Sequence, residues 1–316
     1  MRFKTGTIIC TAILGLMNLP SANAELVRGA ILQNTHKPWE VDNKPTGKGW
    51  GEKPPAGQGY AVATGKKKAG ANGINYHGGP LILGTTNIYY IWYGNWSGNT
   101  ATSILPDLAT GLSGSPYYNI NTTYYNGSSV AVTNATLFRQ GITDNYSRGT
   151  ALADADVAAV VSNAITSGAL PADPNAVYFV LTSADVNETS GFCTSYCGWH
   201  THGSIAGQDI KYAFVGNPDR CPSACEAQTT SPNGNAGADG MASVLAHELE
   251  EAVTDPDLNA WYDTLGQENA DKCAWKFGTT YTVSNGSQAN MKLGARDFLI
   301  QQNWLNASGG LCTLSH

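Results

Sequence analysis

Short apolar and aromatic runs, each the length of a typical β-strand, recur along the chain. Residues 87–93 (NIYYIWY) are mostly β-branched or aromatic and predict a strand, and residues 81–83 predict another. Residues 177–181 (VYFVL) are continuously apolar, which predicts a central strand covered on both faces. Residues 210–215 (IKYAFV) alternate, so we expect an edge strand with one exposed face.

Helical spacing of apolar residues predicts four helices, at residues 102–112, 154–167, 238–253 and 295–303. Gly168 ends the second of these, Asp239 is the expected N-cap of the third, and Pro256 follows the end of the third. Strands and helices alternate without an internal repeat. The pattern therefore predicts an α/β fold: a single mixed-sheet domain that is flanked by helices and braced by disulfides.

The first 24 residues have the pattern of a secretory signal peptide. A basic start with Arg2 and Lys4 precedes an apolar run at residues 8–16 and a small-x-small cleavage site (ANA) at residues 22–24. The alternative, an uncleaved anchor helix, fits less well because the apolar run is short. We therefore expect the mature chain to begin near Glu25 and the protein to be secreted, either extracellular or associated with the cell wall.

Composition and charge narrow the classes of function. The chain of 316 residues is 42% hydrophobic and only 13% charged, and its net charge is −6. A protein that binds nucleic acid normally carries a basic face, so this charge argues against a nucleic-acid partner. After the predicted signal peptide, no apolar run reaches the roughly 18 residues that are needed to span a bilayer.

Charge also divides the chain into two parts. Residues 25–70 hold eight Lys or Arg against four acidic residues, whereas residues 71–316 hold eight basic residues against 20 acidic ones. We predict a basic Gly/Pro-rich linker or propeptide at residues 25–75 and an α/β domain at residues 76–316. Three interpretations of the basic segment stay open: it lies on an acidic cleft, it binds an anionic cell surface, or it is a solubilising leader.

Six cysteines follow the predicted signal peptide, and an even number in an exported protein indicates disulfides. The two C-x3-C spacings suggest local pairs and leave the two most C-terminal cysteines for each other. We therefore predict three disulfides: Cys193–Cys197, Cys221–Cys225 and Cys273–Cys312. The alternative is a zinc site built from four thiolates, which is more typical of reducing compartments.

The third predicted helix and the residues just after it carry the candidate chemistry, in the sequence ASVLAHELEEAVTDPD at residues 242–257. His247 and Glu251 are four residues apart, so they lie one turn apart on the same face. Zinc peptidases use the pattern H-E-x-x-H, in which two ligands converge on the ion and the intervening Glu is the general base. Here Glu251 replaces the second histidine and Glu248 is the candidate base. The alternative is that the helix holds no metal site and that Glu250 and Glu251 are ordinary acidic residues exposed to solvent.

The spacing leaves the third metal ligand open. Glu268, 17 positions after the second helix ligand, is the first choice, and Asp271 is the second. His202 and Asp257 are weaker candidates; His200 and His202 alternate in GWHTHGS and would face the same side of a strand. The expected ion is zinc, although several hard carboxylate oxygens would also suit calcium.

Long stretches of the chain resemble the EXORDIUM or phosphate-induced protein family. They are residues 76–96 (YHGGPLILGTTNIYYIWYGNW), 180–204 (VLTSADVNETSGFCTSYCGWHTHGS), 215–228 (VGNPDRCPSACEAQ) and 231–256 (SPNGNAGADGMASVLAHELEEAVTDP). The resemblance runs from about Tyr76 to Cys312 and implies a secreted, cell-wall-associated protein. Plant members are linked to growth and brassinosteroid response, and the family pattern matches His202 better than His200. The resemblance implies no defined biochemical activity.

The resemblance also suggests a branch within the family. Plant members have an Asn-containing segment where this chain has His247 and Glu248. Microbial relatives resemble this chain, with HE-x-x-E-A-x-T-D-P followed by W-Y-D, here residues 261–263, and E-x-x-D-x-C, here residues 268–273. The resemblance therefore implies that catalysis would belong to the microbial branch and not to the whole family.

Two functional hypotheses follow. The first is a zinc-dependent hydrolase with a zincin-like arrangement, a metallopeptidase whose extended peptide substrate pairs with the strand at residues 210–215. The second is a non-enzymatic extracellular signalling or carbohydrate-binding protein, whose partner is a cell-wall component bound by tryptophans such as Trp96 and Trp199. A third alternative is a glycosidase that uses Asp185 and Glu188.

Overall fold

The computed structural model of the protein describes residues 44–48 and 73–316. These residues fall within one unit of the chain, Val41–His316. The predicted signal peptide at residues 1–24 and most of the predicted linker at residues 25–75 lie outside the described residues. Those two assignments therefore stay predictions.

The described residues form four α-helices: α1 (Ala101–Leu112), α2 (Asp154–Thr166), α3 (Pro222–Cys225) and α4 (Ala236–Thr254). The strands are β1 (Asn75–Tyr76), β2 (Thr86–Tyr93), β3 (Thr136–Asp144), β4 (Ala151–Leu152), β5 (Ala176–Thr182), β6 (Asn187–Glu188), β7 (Gly198–Ile205), β8 (Gln208–Gly216), β9 (Trp261–Tyr262), β10 (Tyr281–Thr282), β11 (Gln288–Ala289), β12 (Met291–Leu293), β13 (Arg296–Phe298), β14 (Asn303–Leu305) and β15 (Leu311–Thr313). Short 3₁₀ turns lie at Tyr118–Thr123, Pro218–Arg220 and Asp271–Cys273. Among these helices, none has both the length and the apolar character that crossing a membrane requires.

Five strands form the central mixed sheet, in the order β3-β2-β5-β8-β7. The first four strands are parallel, and β7 runs antiparallel to β8 at one edge. Every residue of β5 is buried, which confirms the prediction of a central strand covered on both faces. The predicted mixed α/β architecture with a central sheet and helices is therefore confirmed.

The prediction of an edge strand at residues 210–215 is wrong, because β8 lies between β5 and β7. Only the first two residues of β8 are exposed. The alternating pattern depended on Lys211 as a polar, exposed position. In the structure Lys211 is only 7% exposed, and its Nζ lies 2.7 Å from Asp209 Oδ2. A lysine that is buried with its own carboxylate partner looks like a surface position in the sequence. The edge position next to β8 belongs to β7.

Two further elements differ from the predictions. Residues 81–83 form no strand: the backbone N–H of Ile82 donates to the carbonyl of Val253 at 3.1 Å, so it pairs with the end of α4 instead of a strand. Residues 295–303 form no helix: β12 and β13 are a hairpin whose two-residue turn contains Gly294 at φ +58°. The apolar residues around this turn are buried with the period of a strand.

Helix α4 packs against α1 and against strands β7 and β8. Gly198, the first residue of β7, permits this close approach, since a Cβ at this position would meet Val244 Cγ1 at 2.5 Å. The next residue of β7 on the same side of the strand is His200. The packing therefore places His200 beside the helix that carries the H-E-x-x-E sequence.

The structure corrects two of the three predicted disulfides. Cys193 pairs with Cys221 and Cys197 pairs with Cys225, so the local pairs Cys193–Cys197 and Cys221–Cys225 are wrong. Each of the two C-x3-C segments supplies one cysteine to the first bond and its other cysteine to the second. Spacing cannot distinguish pairs within a segment from pairs between segments. The third predicted pair, Cys273–Cys312, is present.

Candidate metal centre

Helix α4 begins two residues earlier than predicted and has a different N-cap. The cap is Asn235, whose Oδ1 accepts a hydrogen bond from a backbone N–H of the first turn at 3.0 Å. The predicted cap, Asp239, lies within the first turn and accepts hydrogen bonds from the backbone and side chain of Asn233. Every residue of α4 except Ala236 and Gly240 is buried, so the helix runs through the interior.

Four ionisable side chains of α4, those of His247, Glu248, Glu250 and Glu251, are therefore buried, each at most 1% exposed. The alternative that Glu250 and Glu251 are solvated acids is wrong. Glu250 accepts a hydrogen bond from Asn303 Nδ2 at 2.6 Å, and burial raises its pKa well above the ordinary value. Burying a charge is costly unless it is paired or binds a metal, so the remaining three side chains need partners.

His247, Glu251 and Asp271 converge on one point. Nε2 of His247 lies 3.1 Å from Glu251 Oε1 and 3.6 Å from Asp271 Oδ1. Two ligand atoms that each lie about 2.1 Å from a zinc ion at a tetrahedral angle are about 3.4 Å apart. The observed separations fit such a site. The structure thus brings Asp271, and not the first choice Glu268, to the two helix residues.

A second buried group consists of His200, Glu251 and Glu268. Nε2 of His200 lies 3.5 Å from Glu268 Oε1, and Nδ1 of His200 lies 3.5 Å from Glu251 Oε2. Glu251 therefore faces His247 with one oxygen and His200 with the other. The two groups form one cluster that is joined by this shared carboxylate.

Glu248, the candidate general base, lies next to the same cluster. Its Oε2 is 3.4 Å from Nδ1 of His200, and its Oε1 accepts no hydrogen bond from the described residues. Burial raises the pKa of Glu248. A raised pKa moves a carboxylate toward the range in which it exchanges protons efficiently near neutral pH.

Several carboxylate oxygens of the cluster accept no hydrogen bond from the described residues: Glu248 Oε1, Glu251 Oε2, Glu268 Oε1 and Asp271 Oδ1. Backbone N–H groups hold two of these carboxylates, since that of Asp271 donates to Glu251 Oε1 at 3.0 Å and that of Glu268 donates to Asp271 Oδ2 at 3.1 Å. Buried polar atoms normally have hydrogen-bond partners. Oriented carboxylates with open buried oxygens, together with imidazole nitrogens, fit the donor set of a divalent metal site.

The buried carboxylates and imidazoles of the cluster shift one another's pKa values. Burial, reinforced by the charge of Glu251, raises the pKa of Glu268 and raises that of Asp271 to about 6. Burial also acts to raise the pKa of Glu251, but the imidazoles of His247 and His200 outweigh it and lower this pKa to about 2. Burial acts to lower the pKa of His200, but the neighbouring carboxylates outweigh it and raise this pKa to about 10. A divalent cation would offset the repulsion between the buried carboxylates.

The segment that carries Glu268 and Asp271 is anchored at two points. The disulfide Cys273–Cys312 begins two residues after Asp271. Between the two carboxylates, Asn269 Nδ2 donates to the backbone carbonyl of Glu250 at 3.1 Å. These links hold the two carboxylates against α4.

The weaker candidates His202 and Asp257 lie in a separate, partly exposed cluster with Asp209 and Lys211. His202 Nδ1 is 2.8 Å from Asp209 Oδ1 and 3.5 Å from Asp257 Oδ1. The structure therefore brings His200, and not the preferred His202, to the buried carboxylates. The sequence signal for His200 is Gly198, two residues before it on the same side of the strand. A strand position without a side chain allows a helix to approach on that side.

The aromatic platform expected for sugar binding is not exposed. Trp92, Tyr93, Trp96, Trp199 and Trp261 are each no more than 7% exposed. A ring stacks on a sugar only if its face is accessible. The expectation that Trp96 and Trp199 bind a carbohydrate is therefore wrong for this structure.

The candidate glycosidase residues have other partners. Glu188 is 1% exposed and accepts hydrogen bonds from the Tyr196 hydroxyl and from the backbone N–H of Ser190. Asp185 accepts hydrogen bonds from the hydroxyls of Ser183 and Tyr146. These contacts account for both carboxylates without a role in glycoside cleavage.

Known proteins resemble this chain over most of its length. The sequence matches the family model described as "Phosphate-induced protein 1 conserved region" over residues 74–293. Protein EXORDIUM-like 5 of Arabidopsis thaliana is 30% identical over an alignment that covers 93% of this chain and 87% of that protein. Protein EXORDIUM-like 3 of the same plant is 32% identical, with 73% and 80% covered. Protein PHOSPHATE-INDUCED 1 of Nicotiana tabacum is 29% identical, with 60% and 67% covered.

Proposed function

The chain belongs to the phosphate-induced protein 1 (EXORDIUM) family, and we propose that this member is an extracellular, metal-dependent hydrolase with a zincin-like arrangement. The observation that carries the proposal is the buried convergence of His247, Glu251 and Asp271, with Glu248 next to them. The names of the relatives state no reaction. The proposal therefore rests on the geometry of this chain.

Zinc suits the donor set better than calcium does. Zinc binds imidazole nitrogens and carboxylate oxygens in four-coordinate sites, whereas calcium takes roughly six to eight oxygens. His247, Glu251 and Asp271 would hold the ion, and His200 and Glu268 would flank it. When bound, zinc supplies Lewis acidity, which polarises a substrate carbonyl and lowers the pKa of water.

The residues of the chain would carry the proton transfer. Glu248 would take a proton from the attacking water at its open Oε1 and pass it to the leaving amine. His200, whose Nδ1 lies 3.4 Å from Glu248 Oε2, would hold this carboxylate in position. A peptide is the proposed substrate because β7 is an edge strand beside the cluster, and an extended peptide adds to such an edge through backbone hydrogen bonds.

Metal analysis of the purified full-length protein tests the proposal. After dialysis against a weak chelator, we expect about one zinc ion per chain and cleavage of a quenched fluorescent peptide library. His247→Ala should lose both the zinc and the cleavage, whereas the matched control His202→Ala should keep both. Stoichiometric zinc in His247→Ala would overturn the ligand assignment. A wild-type protein without metal would leave the non-enzymatic extracellular alternative.

The three disulfides support the extracellular part of the proposal, since such bonds persist in oxidising compartments. Alkylation of intact cultures followed by mass spectrometry tests it. We expect the protein in the medium or the wall fraction with all six of these cysteines blocked to the reagent. A cell-internal protein with alkylated Cys273 or Cys312 would contradict the assignment.

A further inference from the structure

Residues 44–48, a short piece of the basic segment, contact the edge strand β7 at His200. The backbone carbonyl of Gly47 accepts a hydrogen bond from the backbone N–H of His200 at 3.0 Å. Pro45 and Gly47 are buried, whereas the residue before each of them is exposed. One side of the segment therefore faces the protein, and a single backbone hydrogen bond among the described residues joins it to the edge of the sheet.

The contact at Gly47 requires glycine. A Cβ at this position would overlap with the backbone carbonyl oxygen of His200. Its φ of +68° also lies in the left-handed region that favours glycine. Since His200 belongs to the candidate metal centre, the segment contacts the sheet at the strand residue beside the buried cluster.

The next residue, Lys48, enters a pocket that distant parts of the chain supply. Its Nζ donates to Asp154 Oδ2 at 2.6 Å and to Ser190 Oγ at 2.6 Å. The same ammonium group lies 5.3 Å from the ring centre of Tyr196 and 5.5 Å from that of Trp199. A carboxylate, a hydroxyl and two aromatic rings together suit a basic side chain.

The segment also borders the space next to the metal-binding carboxylates. Lys44, Thr46 and Gly47 line a small cavity of about 20 Å³, roughly the room of one water molecule, together with Glu268 and Asp271. Both carboxylates belong to the candidate metal centre. The segment is thus part of the lining of a cavity next to two residues of the candidate metal centre.

We propose that the edge of β7 at His200 is a binding groove for a peptide that contains Gly-Lys with the glycine in a left-handed conformation, and that residues 44–48 occupy this groove in cis as a tethered inhibitor. The pocket around Lys48 then selects a basic side chain directly after a glycine in the substrate. The evidence for the groove is the set of contacts that residues 44–48 make. Only the inhibitory role of the segment depends on the proposed function.

Binding in trans tests the groove with the full-length chain. A fluorescent peptide KPTGK should bind Gly47→Val at least about tenfold more tightly than the wild type, because valine expels the cis segment and frees the groove. A peptide KPTGE should bind Gly47→Val at least about tenfold more weakly than KPTGK, because its acid faces Asp154. Equal binding of KPTGK to the wild type and to Gly47→Val, or indifference to the final residue of the peptide, would overturn the proposal.

Further variants separate release of the segment from damage to the fold. Lys48→Ala removes the anchor without a change at Gly47 and should also expose the groove. The double variant Gly47→Val with Asp154→Ala keeps the segment released but removes the pocket carboxylate, so it should lose KPTGK again. Lys292→Ala removes an exposed lysine of β12 and should behave as the wild type.

Inhibition has its own readout. Gly47→Val and Lys48→Ala should release zinc to a chelator, and cleave the peptide library, at least about tenfold faster than the wild type. Unchanged rates in variants that bind KPTGK would overturn the inhibitory role. If KPTGK binds as expected but the protein contains no metal, the groove is supported and the proposed hydrolase function is wrong. If the protein contains metal and cleaves the peptide library but no variant binds KPTGK, the hydrolase function is supported and the proposed groove is wrong.

Discussion

His200 and His202 stand two residues apart on β7, yet they belong to clusters of different character. His200 is 1% exposed and faces the buried carboxylates of Glu251 and Glu268. The side chain of His202 is 36% exposed and faces Asp209 and Asp257. Each cluster brings three possible ligand atoms within 4.8 Å of one another. Ligand geometry alone therefore does not distinguish the two.

The difference lies in the countercharge. In the exposed cluster, Lys211 Nζ lies 2.7 Å from Asp209 Oδ2 and 3.8 Å from Asp257 Oδ1, so one ammonium group offsets part of the negative charge of the two acids. In the buried cluster, the ion-pair partners of the carboxylates among the described residues are histidines. Under the proposed function, the feature that distinguishes the metal site is the lack of a lysine or arginine beside its acids, and not the proximity of the acids to one another.

Metal removal should produce the largest effect and should act through the buried cluster. A ligand present at 1,000 times its Kd stabilises the folded state by about 4 kcal/mol. For a protein of this size, that corresponds to a fall in Tm of about 8–16 °C when the ligand is lost. Calorimetry with and without a strong chelator measures this change. An unchanged Tm would show that the buried acids are stable without an added cation.

Matched removal of one carboxylate from each cluster should separate the two clusters. Glu251→Gln removes the carboxylate that both buried groups share, so zinc affinity should fall by more than the roughly 10- to 100-fold that loss of an outer partner costs. Asp257→Asn should leave zinc affinity unchanged. Competition with a chromogenic zinc chelator measures both values. Equal losses would mean that the clusters contribute to one site.

Removal of the lysine should make the exposed cluster resemble the buried one. Lys211→Met leaves His202, Asp209 and Asp257 without the ammonium group, so we expect a new, weak divalent site with a Kd on the order of 10⁻⁴–10⁻³ M. Isothermal titration calorimetry of the zinc-loaded protein with further metal detects this second site. If Lys211→Met binds no additional metal, countercharge is not the feature that separates the clusters.

The smallest effect concerns the pH dependence of the exposed cluster. Burial acts to raise the pKa of Asp209, but Lys211 and His202 outweigh it and lower this pKa below its model-peptide value. A lowered pKa contributes stability that is present above the unfolded-state pKa and is lost as the pH falls through the folded-state pKa. Asp209→Asn should therefore destabilise the protein by about 1 kcal/mol or less at pH 7, and by less at pH 3.

Urea unfolding at the two pH values measures this difference. In a Lys211→Met background, the main cause of the lowered pKa is absent, so Asp209→Asn should have little effect at either pH. A destabilisation that grows from pH 7 to pH 3 would have the wrong sign for this mechanism.

The candidate site was predictable where it depends on one helix or one short segment. The i, i+4 relation of His247 and Glu251 is a property of helical geometry, and Asp271 follows on a segment that begins soon after the helix. The interpretation of Lys211 as an exposed residue failed, because burial depends on neighbours that come from other strands. The same reason applies to His200, which became a member of the cluster only through the approach of α4 to β7.

The sequence by itself determined the helix that carries H-E-x-x-E, the central apolar strand, the family resemblance and the presence of cysteines suited to disulfides. Spacing within one element sets distances within that element, so these features follow from local residues. Only the tertiary structure decided the partners of Cys193 and Cys197, the edge position of β7, and which histidine faces the buried acids. Distances between elements depend on the packing of the whole chain, and a glycine such as Gly198 decides how closely two of them approach.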